Sequence, residues 1–247
     1  MLHARTRLHT CRIDVARKAI NDWLERSISP AVMWSGGKDS TVMAHLALSL
    51  APEIELVSEK DDLDYPGERD YVEQLAGDWR ANLTVLEPET SPAQWMTDNA
   101  SCITVGDDMH GRAAELSKAC FYSIVENYSS GRSIMLGLRT EESKGRNAHR
   151  ASRGLVYQAR GQLVAQPIAD WTGIDVYAYC LTHGIELLPL YQCVGLMHAR
   201  DPWRIRKSWW IQGSAGVTGG IQWLRYYYPS LYYKLLEWIP LAQSLGG

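Results

Sequence analysis

Six residues, Ser35, Gly36, Gly37, Lys38, Asp39 and Ser40, constrain this chain more than any other stretch. They lie between an apolar run, Ala31-Val32-Met33-Trp34, and a helix-like run, Thr41-Val42-Met43-Ala44-His45-Leu46-Ala47-Leu48. A strand, a turn of small residues carrying one lysine, and a helix together make a phosphate cradle. Glycines let backbone N–H groups approach an anion and turn inward as a nest. The following helix directs its positive end and its unpaired N–H donors at the same point. Lys38 adds a mobile charge, and the two serines add hydroxyl donors. The spacing is not G-x-x-x-x-G-K-[ST], because only Ser35 and Gly36 precede Gly37-Lys38, and it is not G-x-G-x-x-G.

Strand and helix patterns alternate along the rest of the chain. Strands are expected at 54–58, 83–86, 133–137 and 163–166, the last stopped by Pro167. Helices are expected at 68–79, 111–128 and 174–183, with Gly184 as the stop of the last and 91–111 irregular. This order predicts an α/β fold, a doubly wound parallel five-stranded sheet with right-handed crossovers. Ligands of such sheets bind at the carboxyl ends of the strands, where the cradle, the acidic run Lys60-Asp61-Asp62-Leu63-Asp64 and the segment after the fourth strand all fall.

The 247 residues are read as a nucleotide-binding α/β domain over 1–195, opened by an N-terminal helix within 1–29, and a C-terminal cap over 196–247. A net charge of −3 gives no global attraction to nucleic acid or to an anionic membrane. No apolar run is long enough to cross a bilayer. The basic N-terminus has no apolar h-region, which argues against a secretory signal. The five cysteines, Cys11, Cys102, Cys120, Cys180 and Cys193, are scattered without a C-x-x-C pair. That points to reduced thiols, a cytoplasmic location and no iron–sulfur cluster.

A second cluster follows the fourth strand. Gly137-Leu138-Arg139-Thr140-Glu141-Glu142-Ser143 runs into Lys144, Arg146, His149, Arg150 and Arg153. Such a concentration of guanidinium groups suits a polyphosphate or a sulfate, because the arginine fork holds two oxyanion oxygens at once. The loop Ser35–Ser40 resembles the PP-loop of the N-type ATP pyrophosphatases and of the phosphoadenosine phosphosulfate (PAPS) reductases. G-L-R-x-x-E-S resembles the second signature of the PAPS reductase family. Pro167–Thr172, Asp175–Tyr179, Gly184-Ile185 and Pro189–Tyr191 continue the likeness, which covers about residues 30–195.

The resemblance implies an adenine nucleotide alpha-hydrolase-like fold that binds ATP or PAPS. It places the phosphates on Ser35, Gly36, Gly37, Lys38, Asp39 and Ser40. Gly137, Arg139, Glu142 and Ser143 would line the nucleotide, and Arg146 and Arg150 would meet the distal phosphates or sulfate. Lys38, Asp39 and Arg139 are the candidate catalytic residues. Asp39 and Asp61 are candidate Mg²⁺ ligands, and the end of the second strand supplies an acidic residue facing the ligand, for which Asp61 and Asp62 are both candidates.

The chain departs from the family in one respect. PAPS reduction needs a nucleophilic cysteine near the C-terminus, and no cysteine follows Cys193. Cys193 itself reads better as a packed residue than as the nucleophile. The chemistry that needs no thiol is cleavage of the α–β phosphate bond of ATP with Mg²⁺ and adenylyl transfer to an acceptor, and this is the leading expectation. A sulfonucleotide reductase or sulfur-transfer enzyme using an external thiol is the alternative, and a non-catalytic nucleotide or nucleic-acid-binding module is the third reading.

Beyond Leu196 basic and aromatic residues interleave, from Arg200 and Trp203 to Tyr233 and Trp238, around a Gly-rich stretch at 213–220. The helical spacing of Leu224, Leu231, Leu235, Leu236 and Ile239 favours a mainly helical cap over a platform for single-stranded nucleic acid. Candidate partners are thus a nucleotide, an acceptor with nucleic acid as one possibility through this segment, and a second copy of the chain as a homodimer; no membrane partner is expected.

Overall fold

Strand β1, Ala31–Met33, is built from a continuous apolar run and sits between two parallel neighbours, as a strand buried on both faces should. In the computed structural model the described residues are 2–99, 115, 119–120, 123–142, 144–193, 205, 207 and 223–238. The other strands are β2 (Glu55–Glu59), β3 (Asn82–Leu86), β4 (Ile134–Leu136), β5 (Val156–Ala159) and β6 (Gln162–Ala165). Their order in the sheet is β3-β2-β1-β4-β6-β5. The register pairs Met33 with Val57 on one side and with Leu136 on the other.

The sheet therefore has six strands where five were expected. The additional strand is β5, which runs antiparallel to β6. The two are joined by Arg160-Gly161, both at positive φ (48° and 78°), the signature of a type I′ hairpin turn. Arginine is an unusual first residue for that turn, so the hairpin has no Asn-Gly or Asp-Gly mark in the sequence.

The helices are α1 (Arg7–Arg26), α2 (Lys38–Leu50), α3 (Glu68–Trp79), α4 (Pro92–Asp98), α5 (Ser123–Ser129), α6 (Lys144–Arg153), α7 (Gly173–His183) and α8 (Pro229–Trp238). Helix α4 replaces the start of the stretch expected to be irregular. Ser91 caps it by accepting from Gln94 N at 3.2 Å, and Pro92 occupies its first turn. Of the helix expected over 111–128, only its last part falls on described residues, as α5. Gly184 ends α7 in the left-handed region at φ 64°.

Two compact units result. One comprises Met1–Ser58, Tyr71–Val85 and Ser129–Leu188, and the other Glu59–Asp70, Leu86–Tyr128 and Pro189–Gly247. In the first unit α1 packs on α2 and β6 through Ala16, Ile20 and Trp23, and the Trp23 indole donates to Leu163 O at 3.3 Å. Helix α7 adds Val176, Tyr179 and Cys180 to the same core. In the second unit α8 packs on α4. Leu231 and Leu235 are buried there, as their spacing predicts, with Leu224 also buried in the turn of helix before α8. Among the described residues no helix is long and apolar enough to cross a membrane.

Candidate nucleotide site

The chain passes from β1 to β2 on one side and returns to β4 on the other, so the β1–β4 pair is the point where the strand order reverses. Open α/β sheets bind ligands outside the carboxyl ends of the strands at such a point. The Met33–Leu136 register brings the two loops that follow these strands together. A Cβ on Gly137 would lie 2.6 Å from Ser40 Cα and 2.8 Å from Ser40 N, so only glycine lets β4 end against the first turn of α2. The two sequence motifs thus form one site.

Within the cradle, Gly36 adopts φ 72°, which favours glycine, and Gly37 caps α2. Ser35 Oγ lies 3.0 Å from Ser40 Oγ, and the Ser40 hydroxyl donates to Gly37 O at 3.0 Å. The Trp34 indole donates to Thr41 Oγ1 at 3.0 Å, tying the end of β1 to the helix. The first backbone N–H groups of α2 have no carbonyl one turn back and are the anion donors of the loop.

The charged side chains form a chain of ion pairs. Lys38 Nζ reaches Asp39 Oδ2 at 3.1 Å, and Arg139 Nε donates to Asp39 Oδ1 at 2.7 Å. Arg139 also donates to Glu141 Oε2 at 2.5 Å and lies 3.8 Å from Glu142. Arg146 pairs with Glu142, and Arg150 donates to Asp170 Oδ2 at 2.7 Å. Burial separates these cations into two kinds. The Lys38 and Arg139 side chains are 1 % and 2 % exposed, whereas those of Arg146 and Arg150 are 36 % and 25 % exposed. The buried pair is fixed by carboxylates; Arg150, whose partner Asp170 is 47 % exposed, can exchange that carboxylate for an incoming oxyanion at small cost, whereas Arg146 faces a Glu142 that is only 11 % exposed.

Three contributors were not singled out in the sequence. Glu141 accepts from Gly173 N at 2.7 Å as well as from Arg139, and so ties the loop after β4 to the first turn of α7. Asp170 is the partner of Arg150. Tyr177 is close enough to Asp39 that burial and that carboxylate together push its phenol above the ordinary value. Thr172-x-x-Asp175, a capping box readable in the sequence, marks the start of α7 and hence the place of Gly173. Ser143 lies outside the described residues.

Asp39 does not fit the Mg²⁺ role. Each of its oxygens faces a cation, Lys38 on one and Arg139 on the other, which leaves no open charge for a divalent ion. Asp61 belongs to the second unit, where it accepts from Leu63 N at 2.6 Å. Burial and the neighbouring Asp64 raise it to about 6, although Lys207 opposes them. Asp62 is exposed and accepts from Ala93 N at 3.4 Å. In the same unit Lys207 lies 3.4 Å from Asp64 Oδ1 and pairs with Glu68, and burial raises Glu59 to about 7.

The Cys193 thiol is half-buried, donating to Pro189 O at 3.6 Å and lying 4.0 Å from the Tyr228 hydroxyl. Burial raises its pKa, the reverse of what a nucleophilic thiolate requires. Of the C-terminal aromatics, Trp223 is fully buried and donates to Cys193 O at 2.9 Å, whereas Tyr226 and Tyr233 are exposed. The Gly-rich stretch and most of the basic residues near it lie outside the described residues.

The family model for the phosphoadenosine phosphosulfate reductase domain matches residues 29–199. The chain belongs to the PAPS reductase family. Among its relatives, the phosphoadenosine 5′-phosphosulfate reductase of Serratia proteamaculans is 27 % identical over 173 residues, 68 % of this chain and 69 % of that protein. The enzyme of the same name from Xylella fastidiosa is 27 % identical over 178 residues, 70 % of this chain and 73 % of that one. In solved structures the fold recurs in the phosphoadenylyl-sulfate reductase of Candida auris (TM-score 0.56, 12 % identity, 75 % of this chain and 87 % of that one). It recurs also in the FMN adenylyltransferase of Candida glabrata with FAD and pyrophosphate (TM-score 0.52, 13 % identity, 74 % and 59 %). The matched span includes the cradle, the Gly137–Glu142 loop and α6 with Arg146 and Arg150. The names of the sequence relatives back the sulfonucleotide reading over the leading expectation of ATP cleavage.

Proposed function

We propose that this PAPS reductase family enzyme binds an adenosine phosphosulfate nucleotide and releases sulfite, using thiols supplied by a separate molecule. The observation that carries the reading is the close approach of Gly137 to Ser40, which joins the anion cradle to the arginine-bearing loop in a chain whose sequence relatives are named PAPS reductases. The α2 N-terminus and Lys38 hold the phosphate end. Arg139 positions Asp39 and Glu141, and Arg146 and Arg150 turn from their carboxylates to the sulfate or the second phosphate.

The reaction then needs two thiols. A thiolate sulfur attacks the sulfonate sulfur, the S–O bond to the nucleotide breaks, and the nucleotide phosphate leaves. A second thiol attacks the first at sulfur, giving a disulfide and releasing sulfite, so two thiols are oxidised as sulfur(VI) becomes sulfur(IV). The cationic cluster stabilises the departing phosphate.

A second reading is cleavage of ATP by attack of an acceptor oxygen on the α-phosphorus, with pyrophosphate leaving; it needs no thiolate and is equally compatible with the raised Cys193 thiol. One experiment separates the two. The protein is incubated with PAPS and a dithiol while sulfite is measured, and in parallel with ATP and Mg²⁺ while pyrophosphate is measured. Sulfite release without pyrophosphate supports the proposal; pyrophosphate without sulfite sinks it.

A further inference from the structure

The first unit carries a polar cluster that the proposed reaction does not use. His3 Nε2 and His9 Nδ1 both meet one carboxylate oxygen, Asp175 Oδ1, at 2.8 and 2.9 Å. Asp175 is fully buried and His9 is 1 % exposed. The other oxygen, Oδ2, accepts from Thr172 N at 2.8 Å and Thr172 Oγ1 at 2.6 Å and pairs with Arg12. These bonds fix the plane of the carboxylate and turn Oδ1 toward the two imidazoles.

If His9 donates through Nδ1, its Nε2 is a buried lone pair, and that atom has no hydrogen-bond partner among the described residues. A metal ion on Nδ1 would place the ring proton on Nε2, exchanging a buried lone pair for a buried N–H, so this atom is neutral between a hydrogen-bonded and a metal-bound His9. The three ligand atoms already lie within 4.8 Å of one another. Donors on a tetrahedral zinc ion stand about 3.3 Å apart, so the two N···O distances would open by about half an ångström while the two imidazole nitrogens, within 4.8 Å of each other, adjust to the same spacing. His3 can supply that movement, because its side chain is 31 % exposed and it sits on a single 3₁₀ turn, His3–Arg5. Its exposed side also gives an ion a route in and water a place in the coordination shell.

We propose that His3, His9 and Asp175 form a binding site for one divalent transition-metal ion of borderline softness, with Zn²⁺ the best match. Two imidazoles and one carboxylate select such an ion over Mg²⁺ and Ca²⁺, which take oxygen ligands, and over Cu(I), which takes sulfur. Arg12 and Thr172 orient the ligating carboxylate. The bound ion clamps the N-terminal turn and α1 to the first turn of α7, the same turn whose Gly173 N–H holds Glu141.

The test uses the full chain, stripped with a chelator and then titrated with Zn²⁺ by calorimetry and with Co²⁺ by visible absorption. One equivalent of Zn²⁺ is expected, with a rise in thermal unfolding temperature and the d–d bands of low-coordinate Co²⁺. His3→Ala leaves the Asp175 cap and the Arg12 pair in place, and should lower affinity by about tenfold or more with the apo fold unchanged by circular dichroism. His9→Gln should do the same. Absence of saturable Zn²⁺ binding to the wild-type chain overturns the proposal. So does binding that survives both substitutions, or that disappears on cysteine alkylation while both histidines are intact.

Discussion

Arg139 Nε donates to Asp39 Oδ1 at 2.7 Å, joining residues 100 positions apart in the chain across the carboxyl ends of β1 and β4. The guanidinium is 2 % exposed and also serves Glu141, so it acts as the strut between the two loops. Breaking a buried pair by removing one partner is more costly than its net worth, because the other charge stays desolvated. Arg139→Ala should therefore destabilise by about 3 kcal/mol, seen as a lower urea midpoint with an unchanged slope. Arg139→Lys should recover only part, since one ammonium cannot span Asp39 and Glu141. An unchanged midpoint for the alanine variant would show that the strut carries no stability.

Arg146 and Arg150 should behave in the opposite way. Both arginine side chains are partly exposed, and Glu142 keeps Arg139 at 3.8 Å when Arg146 is removed, so Arg146→Ala and Arg150→Ala should each change stability by less than about 1 kcal/mol. Affinity for the phosphosulfate nucleotide should fall by about tenfold for each, and the salt dependence of binding should weaken. Isothermal titration at two ionic strengths reads both effects. Wild-type affinity in both variants would remove α6 from the ligand site.

Gly137→Ala tests the joint itself. The new methyl would have to displace the backbone of Ser40, which cannot give as a flexible side chain can. A stability loss of about 1–3 kcal/mol is expected from the overpacking. Nucleotide affinity should fall with it, because the displaced turn is the one that presents the anion donors. If binding of a fluorescent adenine nucleotide analogue is unaffected, the cradle is not where the phosphates sit.

Cys193→Ser distinguishes an internal nucleophile from an external one. Burial keeps the thiol protonated, and its sulfur is engaged by Pro189 O and Tyr228. Under the external-thiol reading sulfite release from PAPS in the presence of a dithiol should match the wild type. Loss of turnover in a folded Cys193→Ser protein would make this thiol the attacking group.

The sequence made the cradle legible because its strand, turn and helix are contiguous, and each residue type there has a local reason. It made the Gly137–Glu142 loop legible as a motif but not its role. The loop's position follows from the Met33–Leu136 register, a pairing across about a hundred residues that no local pattern encodes. The same holds for the ion pairs. A density of arginines after β4 reads as a set of anion receptors, whereas the fold places a carboxylate against each of Arg139, Arg146 and Arg150. Glu141 and Asp170 look like ordinary solvated acids until α7 and β4 are brought together. Strand β5 and its hairpin to β6 are not legible in the sequence because Arg160 takes a left-handed conformation that its type does not advertise.

Glu59 carries a prediction about pH. Burial comes first among the causes that raise it from 4.5 to about 7; Asp61 and Asp64 add to the rise and Lys207 opposes it. An acid whose folded pKa lies above its unfolded one binds its proton more tightly when folded. The stability it contributes is therefore complete below the unfolded value and is lost as pH rises through the folded one. The second unit should lose stability between pH 4.5 and about 7 on this account. Glu59→Gln keeps the neutral shape and removes the titration, so it should flatten that loss and leave stability higher than the wild type above neutrality. Denaturant unfolding on both sides of this window reads the difference. A wild-type and a Gln variant with parallel pH profiles would mean that Lys207 keeps Glu59 ionised in the folded protein.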